Sequence, residues 1–452
     1  GNELEDIRLS HSLQVSTTVA IAVGANVIGE TITVGGTTFS YVDAATTASP
    51  TATQIAVNST DSTIQVASLT ADAINSQLGA GSAVASDNTI NTALTVVTSS
   101  AERFAVFSSS AIINGLNLDY TSRNTTGALN FTTTGNAFGR VVVTVTATDA
   151  GVDGIFGNAD DLSTSEDVVI VVTPKNDVPT IAAVPAQTVS EDSPEQSVAV
   201  SGISVGPGNE LEDVQVIASL DASTTVVFAA GGNVIGETIT VSGVTFTYVN
   251  SATNPVPTSL QIAVQSGETT QSVAAKTAVV VNAQLGAGSV VATDNTINTA
   301  LAVSVSSTSD FALLSSSQIL SGLAVDYVSR DASATVRYTP VANAFGQVRI
   351  TLDVIDAGVD GLFGTSDDLA TATSFTVTVT PINDDPMLSV PDSVVAEDSA
   401  EQSVSLSGIS AGPANELEDI RLSHVLHNTV SVAIAPDVIG ETLTVGGVDF
   451  TF

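Results

Sequence analysis

The stretch GRVVVTVTATDAGVDGIFGNADDLSTSEDVVIVVTPKNDVP, Gly139–Pro179, returns as GQVRITLDVIDAGVDGLFGTSDDLATATSFTVTVTPINDDP at Gly346–Pro386. In each copy two runs rich in Val, Thr and Ile flank a loop dense in Asp and Gly. Alternation with period two, carried by β-branched residues, predicts paired strands with one buried face. Proline has no N–H to give to a ladder, so the second strand must end at Pro174 or Pro381, and an extended linker follows.

The repetition extends outward from this stretch. NELED begins at Asn2, Asn209 and Asn415, which are 207 and 206 residues apart. NVIGETITVGGTTFSYV from Asn26 recurs as NVIGETITVSGVTFTYV from Asn233 and as DVIGETLTVGGVDFTF from Asp437. LNLDYTSR ends at Arg123 and LAVDYVSR at Arg330. A period this long is the mark of tandem modules. The reading is one module over 1–176, truncated at its N-terminus, a complete one over 177–383, and a truncated third over 384–452. TITVGGTTFSYV reads as a hairpin turning on Gly35-Gly36, with Ser242-Gly243 as its counterpart. TADAINSQLG near Thr70 and SVAAKTAVVVNAQLG near Ser272 read as one helix per period, each stopped by glycine. Hairpin and helix together predict a small α+β insertion, at about 25–98 and 232–305. The expected fold class is all-β: tandem β-sandwiches, each carrying an inserted α+β subdomain.

Composition narrows the function. Across 452 residues, 47 Asp and Glu stand against 10 Lys and Arg, for a net charge of −37, yet 43% of residues are hydrophobic. Enough apolar side chains exist to build cores, so the acidity belongs to a folded surface. Such a surface cannot neutralise phosphates and excludes nucleic-acid binding. No apolar run reaches the roughly 18 residues of a membrane span. Cysteine is absent, which removes disulfides, thiolate metal sites and cysteine nucleophiles. His11 and His424 are equivalent positions, but the second period has Ala218 there, so no histidine chemistry repeats. A nucleophile elbow and a phosphate-binding glycine loop are both missing. A Lys–Asn isopeptide crosslink is disfavoured because Lys175 becomes Ile382 and Lys276 aligns with Leu69. Nothing indicates an enzyme.

The acidic loop is the chemical feature that repeats. Read against the D-x-[DN]-x-[DN]-G-x5-E calcium loop, Asp149 falls first, Asp153 fifth, Gly154 sixth and Asp160 twelfth, with Asp161 beside them. Asp356, Asp360, Asp367 and Asp368 are the second set. Calcium takes six to eight oxygen ligands. Two carboxylates ~4 Å apart repel by about 4 kcal/mol at an effective dielectric near 20, so the loop is expected to splay without a cation. The alternative is a solvated Asp/Gly turn.

VTATDAG followed by VVIVVTPKNDVP resembles the end of a cadherin repeat, with its A-x-D-x-G turn and N-D-x-P junction. VSEDSPEQSVAVSGISVGPGNE and VAEDSAEQSVSLSGISAGPANE look like the openings of cadherin-like and immunoglobulin-like tandem modules. Those belong to giant extracellular repeat proteins, notably of planctomycete-type bacteria. The resemblance implies Ig/cadherin-like sandwiches and calcium ligation by Asp149 and Asp356 and by Asn176-Asp177 and Asn383-Asp384. Glu191-Asp192 and Glu397-Asp398 would join from the start of a module. Pro174 and Pro381 stand where a cadherin junction would begin with Asp. The implied role is a segment of a long extracellular fibre, stalk or cell-surface tether, stiffened by Ca2+, with neighbouring modules as its partners and a homopolymer or filament as a further one. The competing reading is an adhesin whose insertions bind a glycan or protein ligand.

Overall fold

The structure is a computed structural model that describes residues 5–208, 210–397, 399–413, 416–417, 419–427 and 429–452. It divides into two compact units, Gly1–Asn383 and Asp384–Phe452. The smaller unit carries two hairpins, Met387–Ser389 with Ser407–Ser410 and Thr442–Val445 with Val448–Thr451.

The second period shows the sandwich whole. One sheet has the strand order Gln187–Ser190, Ala370–Thr380, Gly346–Asp356, Val214–Leu220; the other has Gln196–Ser201, Ser333–Pro340, Leu320–Asp326. The opening strand runs parallel to the closing one, and every other neighbour is antiparallel. The alternation read from the sequence is the burial pattern: Val348, Ile350, Leu352 and Val354 face inward with Phe375, Val377 and Val379. In the first period the corresponding sheets have three strands (Ile7–Leu13, Gly139–Asp149, Ser163–Val172) and two (Ile113–Asp119, Ala128–Thr133).

The inserted subdomain has two four-stranded sheets and one long helix. Thr31–Val34 and Thr37–Asp43 form the expected hairpin over Gly35-Gly36, flanked by Gln54–Val57 and Val96–Thr98. The other sheet takes Thr17–Ile21 and Phe104–Ser108 from outside 25–98, in the order Val84–Ser86, Thr89–Thr92, Thr17–Ile21, Phe104–Ser108. These outer strands join the sheet through partners distant in sequence, so no local signal assigns them to the insertion. The helix Thr63–Leu78 begins at a capping box, in which Ser62 accepts from Gln65 N and the Gln65 side chain returns to the Ser62 backbone; it ends at Gly79. Its buried residues Val66, Ala67, Thr70, Ala71 and Ile74 lie on one face, the spacing of a helix packed on a sheet. Against them sit Phe39, Tyr41, Ile32 and Phe104. The Tyr41 hydroxyl lies 2.9 Å from Thr70 Oγ1, and Tyr248 repeats this with Thr277 at 2.8 Å.

Candidate metal-binding seam between periods

Asp356 is the last residue of its strand and pairs with Val214 of the adjacent strand. Its carboxylate therefore lies at the sheet end that receives the linker from the first period. It is 0% exposed. Asp356 Oδ1 accepts from Gly358 N (3.0 Å), Leu369 N (2.9 Å) and Asn176 Nδ2 (2.8 Å). Asn176 also donates to Asp367 O at 2.8 Å, so the linker asparagine is bound to both ends of the acidic loop. Asp356 Oδ2, Asn176 Oδ1 and Glu212 Oε2 are buried and have no hydrogen-bond partner. A buried acceptor without a donor costs free energy, and a hard cation is what such oxygens suit.

Glu210 and Glu212 of the second NELED segment are 4% and 5% exposed. Burial, then the hydrogen bond and charge of Glu212 and the charges of Asp177 and Asp356, push Glu210 up to about 10. Burial raises Glu212 as well. A methyl placed on Gly206, which has φ +145°, would stand 3.0 Å from Glu210 Cγ and 3.5 Å from Asp177 Cβ, so a side chain there would be strained and would crowd Glu210. The third period repeats the corner within its own unit, with Gly412 lying between Glu416 and Asp384. A small cavity of about 10 Å³ opens beside the pair, lined by Glu210, Glu212, Leu211 and Val359 from the second period, Pro174 from the linker, and Thr63, Asn88 and Phe138 from the first.

The acidic loops themselves are held by their own backbone. Asp149 Oδ1 accepts from Gly151 N and Leu162 N, Asp160 from Val152 N, Asp153 from Ile155 N and Asp161 from Gly157 N. In the second loop Asp360 accepts from Leu362 N and Asp368 from Gly364 N as their counterparts do, while Asp367 accepts from Asp360 N. Burial pushes Asp367 up, but hydrogen bonds from Thr365 and loop N–H groups outweigh this and hold it below the usual carboxylate range. The splaying expected from like-charge repulsion does not occur, because each carboxylate is solvated by peptide dipoles. Among the described residues, no three His, Asp or Glu side chains stand close enough to enclose an ion on their own. Any ion at the seam would draw on the Asn176 amide oxygen and backbone carbonyls as well.

Glu191 does not join Asn176-Asp177. It follows a strand whose Ser190 pairs with Thr380, whereas Asp356 lies at the Ala370 end of the same sheet. About ten residues at ~3.3 Å each separate the two ends. Glu191 is buried, and its Oε1 accepts from Ile382 N at 2.6 Å; its place is the following junction, one residue before Asn383. Asp192 is exposed and accepts from Asn343 N. Glu397 is exposed in the smaller unit, and Asp398 lies outside the described residues.

The first period's insertion closes over this end of the second period. Thr63 Oγ1 donates to Val359 O (2.8 Å) and Thr63 N to Asp360 O (3.2 Å). Asn26 Nδ2 donates to Asp213 Oδ2 at 3.0 Å. Arg330 donates to Leu211 O at 3.2 Å and also to Glu102 O, while Ser329 Oγ holds the other oxygen of Asp213 at 2.8 Å. Sequence reasoning does not single out Thr63, Asn26, Ser329 or Arg330. The repeated DYTSR and DYVSR spelling is the one signal that could flag the Ser-Arg pair.

No family model matches the chain, and no curated protein does. Among solved structures it is similar to surface layer protein SbsC, domains 4–9, at 13% identity over 71% of this chain and 31% of that one, with a TM-score of 0.17. It is similar to a protocadherin GammaB4 extracellular domain at 11% identity over 72% and 49%, TM-score 0.18. It is also similar to the zebrafish RET cadherin-like domains 1 to 4 at 7% identity over 54% and 34%, TM-score 0.15. The chain thus spans between about a third and a half of the length of these structures. Among the described residues no helix is long and apolar enough to cross a membrane.

Proposed function

We propose that the chain is a stretch of an extracellular structural rod or cell-surface tether, in which near-identical β-sandwich periods are joined end to end and calcium stiffens each seam. The observation that carries this reading is the set of buried, donor-less oxygens at the seam: Asp356 Oδ2, Asn176 Oδ1 and Glu212 Oε2. They come from the linker and from two segments of the following period, so one cation bound there would tie the linker to the module it enters. Glu210 and Asp177 would complete the anionic corner. Carboxylate and amide oxygens are the donor set of calcium and suit no thiophilic metal. Repetition favours a structural role, since units of a linear array need only hold their neighbours. The extracellular assignment rests on the cadherin-like motifs.

The test is calcium titration of the metal-free chain by calorimetry. Binding should release or absorb heat and raise the melting temperature; at 100 times Kd the gain is about 2.7 kcal/mol. Neither heat nor a melting shift would overturn the calcium part. Small-angle scattering with and without chelator then reads the rod: a scattering profile indifferent to calcium would remove the stiffening role.

A further inference from the structure

Thr63 is the first residue of the long helix in the first insertion, and the N–H groups of a first turn have no partner inside their own helix. Here that N–H serves the next period. It donates to Asp360 O, while the Thr63 hydroxyl donates to Val359 O. Asn26 of the same insertion donates to one oxygen of Asp213, and Ser329 holds the other. Arg330 spans the contact, donating to Leu211 O in its own period and to Glu102 O in the insertion.

Comparison of the two periods sets this contact apart from the surface around it. Every side chain that makes one of these bonds recurs: Asn26, Thr63, Asp213, Ser329 and Arg330 correspond to Asn233, Thr270, Asp6, Ser122 and Arg123. By contrast Ile64, Ser68, Leu69 and Asp72, all exposed on the same helix, give way to Gln271, Ala275, Lys276 and Val279. The repeat keeps the polar contact and lets the solvent face vary.

We propose that the inserted subdomain is a brace, a second and non-covalent connection that fixes the orientation of the period after it without a bound ion. Bodies joined by one linker move relative to each other by default, and a second contact removes that freedom. The linker already tethers the partners, so the contact is intramolecular and a few polar bonds suffice. This inference goes beyond the calcium reading and does not rest on it. A cation at the seam would add to the same closure.

The test runs on the full chain in chelator, by hydrogen exchange resolved to single amides. In the unsubstituted chain the Thr63 amide should be protected roughly 5- to 150-fold over an open helix end, the usual range of coupling between two sites. Asn26→Asp sets a carboxylate against Asp213 Oδ2, now 3.0 Å from the Asn26 amide nitrogen, and should remove that protection. Adding Asp213→Asn exchanges amide and carboxylate across the contact, leaves an oxygen for Ser329 Oγ, and should restore it. A crosslink gives a second reading, because the chain has no cysteine. A Cβ at Gly361 would lie 3.6 Å from Val23 Cβ, within the roughly 3.5–4.5 Å span of a disulfide, so Val23→Cys/Gly361→Cys should close within one chain in chelator. A Thr63 amide that exchanges like an open helix end in the unsubstituted chain overturns the proposal, as does a disulfide that fails to close. Full protection in Asn26→Asp, or a double variant no better protected than that single one, overturns it as well.

Discussion

Replacing Gly361 and Gly154 by alanine, one at a time, isolates the contact between the first insertion and the second period. Both glycines sit at almost the same positive φ, +71° and +70°, so the left-handed backbone penalty of about 1–2 kcal/mol is common to both. Only Gly361 has a neighbour: the new methyl would lie 2.2 Å from Val23 Cγ1 and 3.1 Å from Thr63 Cγ2. Val23 is β-branched and stiff at χ1, so relief requires the two periods to part. Overpacking of this kind costs about 1–3 kcal/mol, which corresponds to a roughly 5- to 150-fold rise in the open population. The reporter is the Thr63 amide, whose hydrogen bond crosses to Asp360 O. Hydrogen exchange read by mass spectrometry should accelerate by that factor at the start of the helix and across the 174–177 linker in Gly361→Ala. Gly154→Ala should leave both segments at the wild-type rate. Equal acceleration in the two variants would refute the reasoning, because loop strain alone would then account for it.

Asp356→Asn should abolish most of the calcium-induced melting gain while keeping the fold, since one oxygen remains to accept from Gly358, Leu369 and Asn176; an unchanged calcium response by scanning calorimetry would exclude Asp356 as a ligand. In chelator, stability should fall as pH rises above about 4.5. Glu210 has a folded pKa raised to about 10 from 4.5, so between those values the native state binds the extra proton, and stability declines by up to about 1.4 kcal/mol per pH unit. Denaturant melts at pH 5 and pH 8 measure this, and greater stability at pH 8 would contradict it. In the insertion core, Thr70 Oγ1 donates to Val66 O at 2.7 Å, which leaves Tyr41 as the donor to Thr70. Tyr41→Phe should therefore cost only about 0.5–1.5 kcal/mol, whereas Thr70→Val strands the buried tyrosine hydroxyl and should cost about 1–3 kcal/mol; the reverse order in thermal melts would show the donor assignment to be wrong.

Much of this architecture is legible in the string of residues. Period-two alternation in GRVVVTVTATD and SFTVTVT places strands and their inward faces, because a sheet with one buried side imposes that pattern. Gly35-Gly36, Gly79 and Pro174 mark their own turn, helix end and strand end, since each has a backbone preference that acts locally. The wider reach of the insertion is not legible, because Thr17–Ile21 and Phe104–Ser108 join its sheet through partners distant in sequence.

The site divides along the same line. Sequence alone determines that carboxylates recur at every seam, since repetition and charge are properties of the string. Only the tertiary structure decides which of them meet. The parallel pairing of Gln187–Ser190 with Val377–Thr380 carries Glu191 to the far end of the sheet, and the linker brings Asn176 onto Asp356. Burial of Glu210 and Glu212 likewise depends on chain that folds back over them. Whether a carboxylate is a solvated surface charge or a buried acceptor lacking a donor is set by what packs on it, and that is information no local stretch of sequence contains.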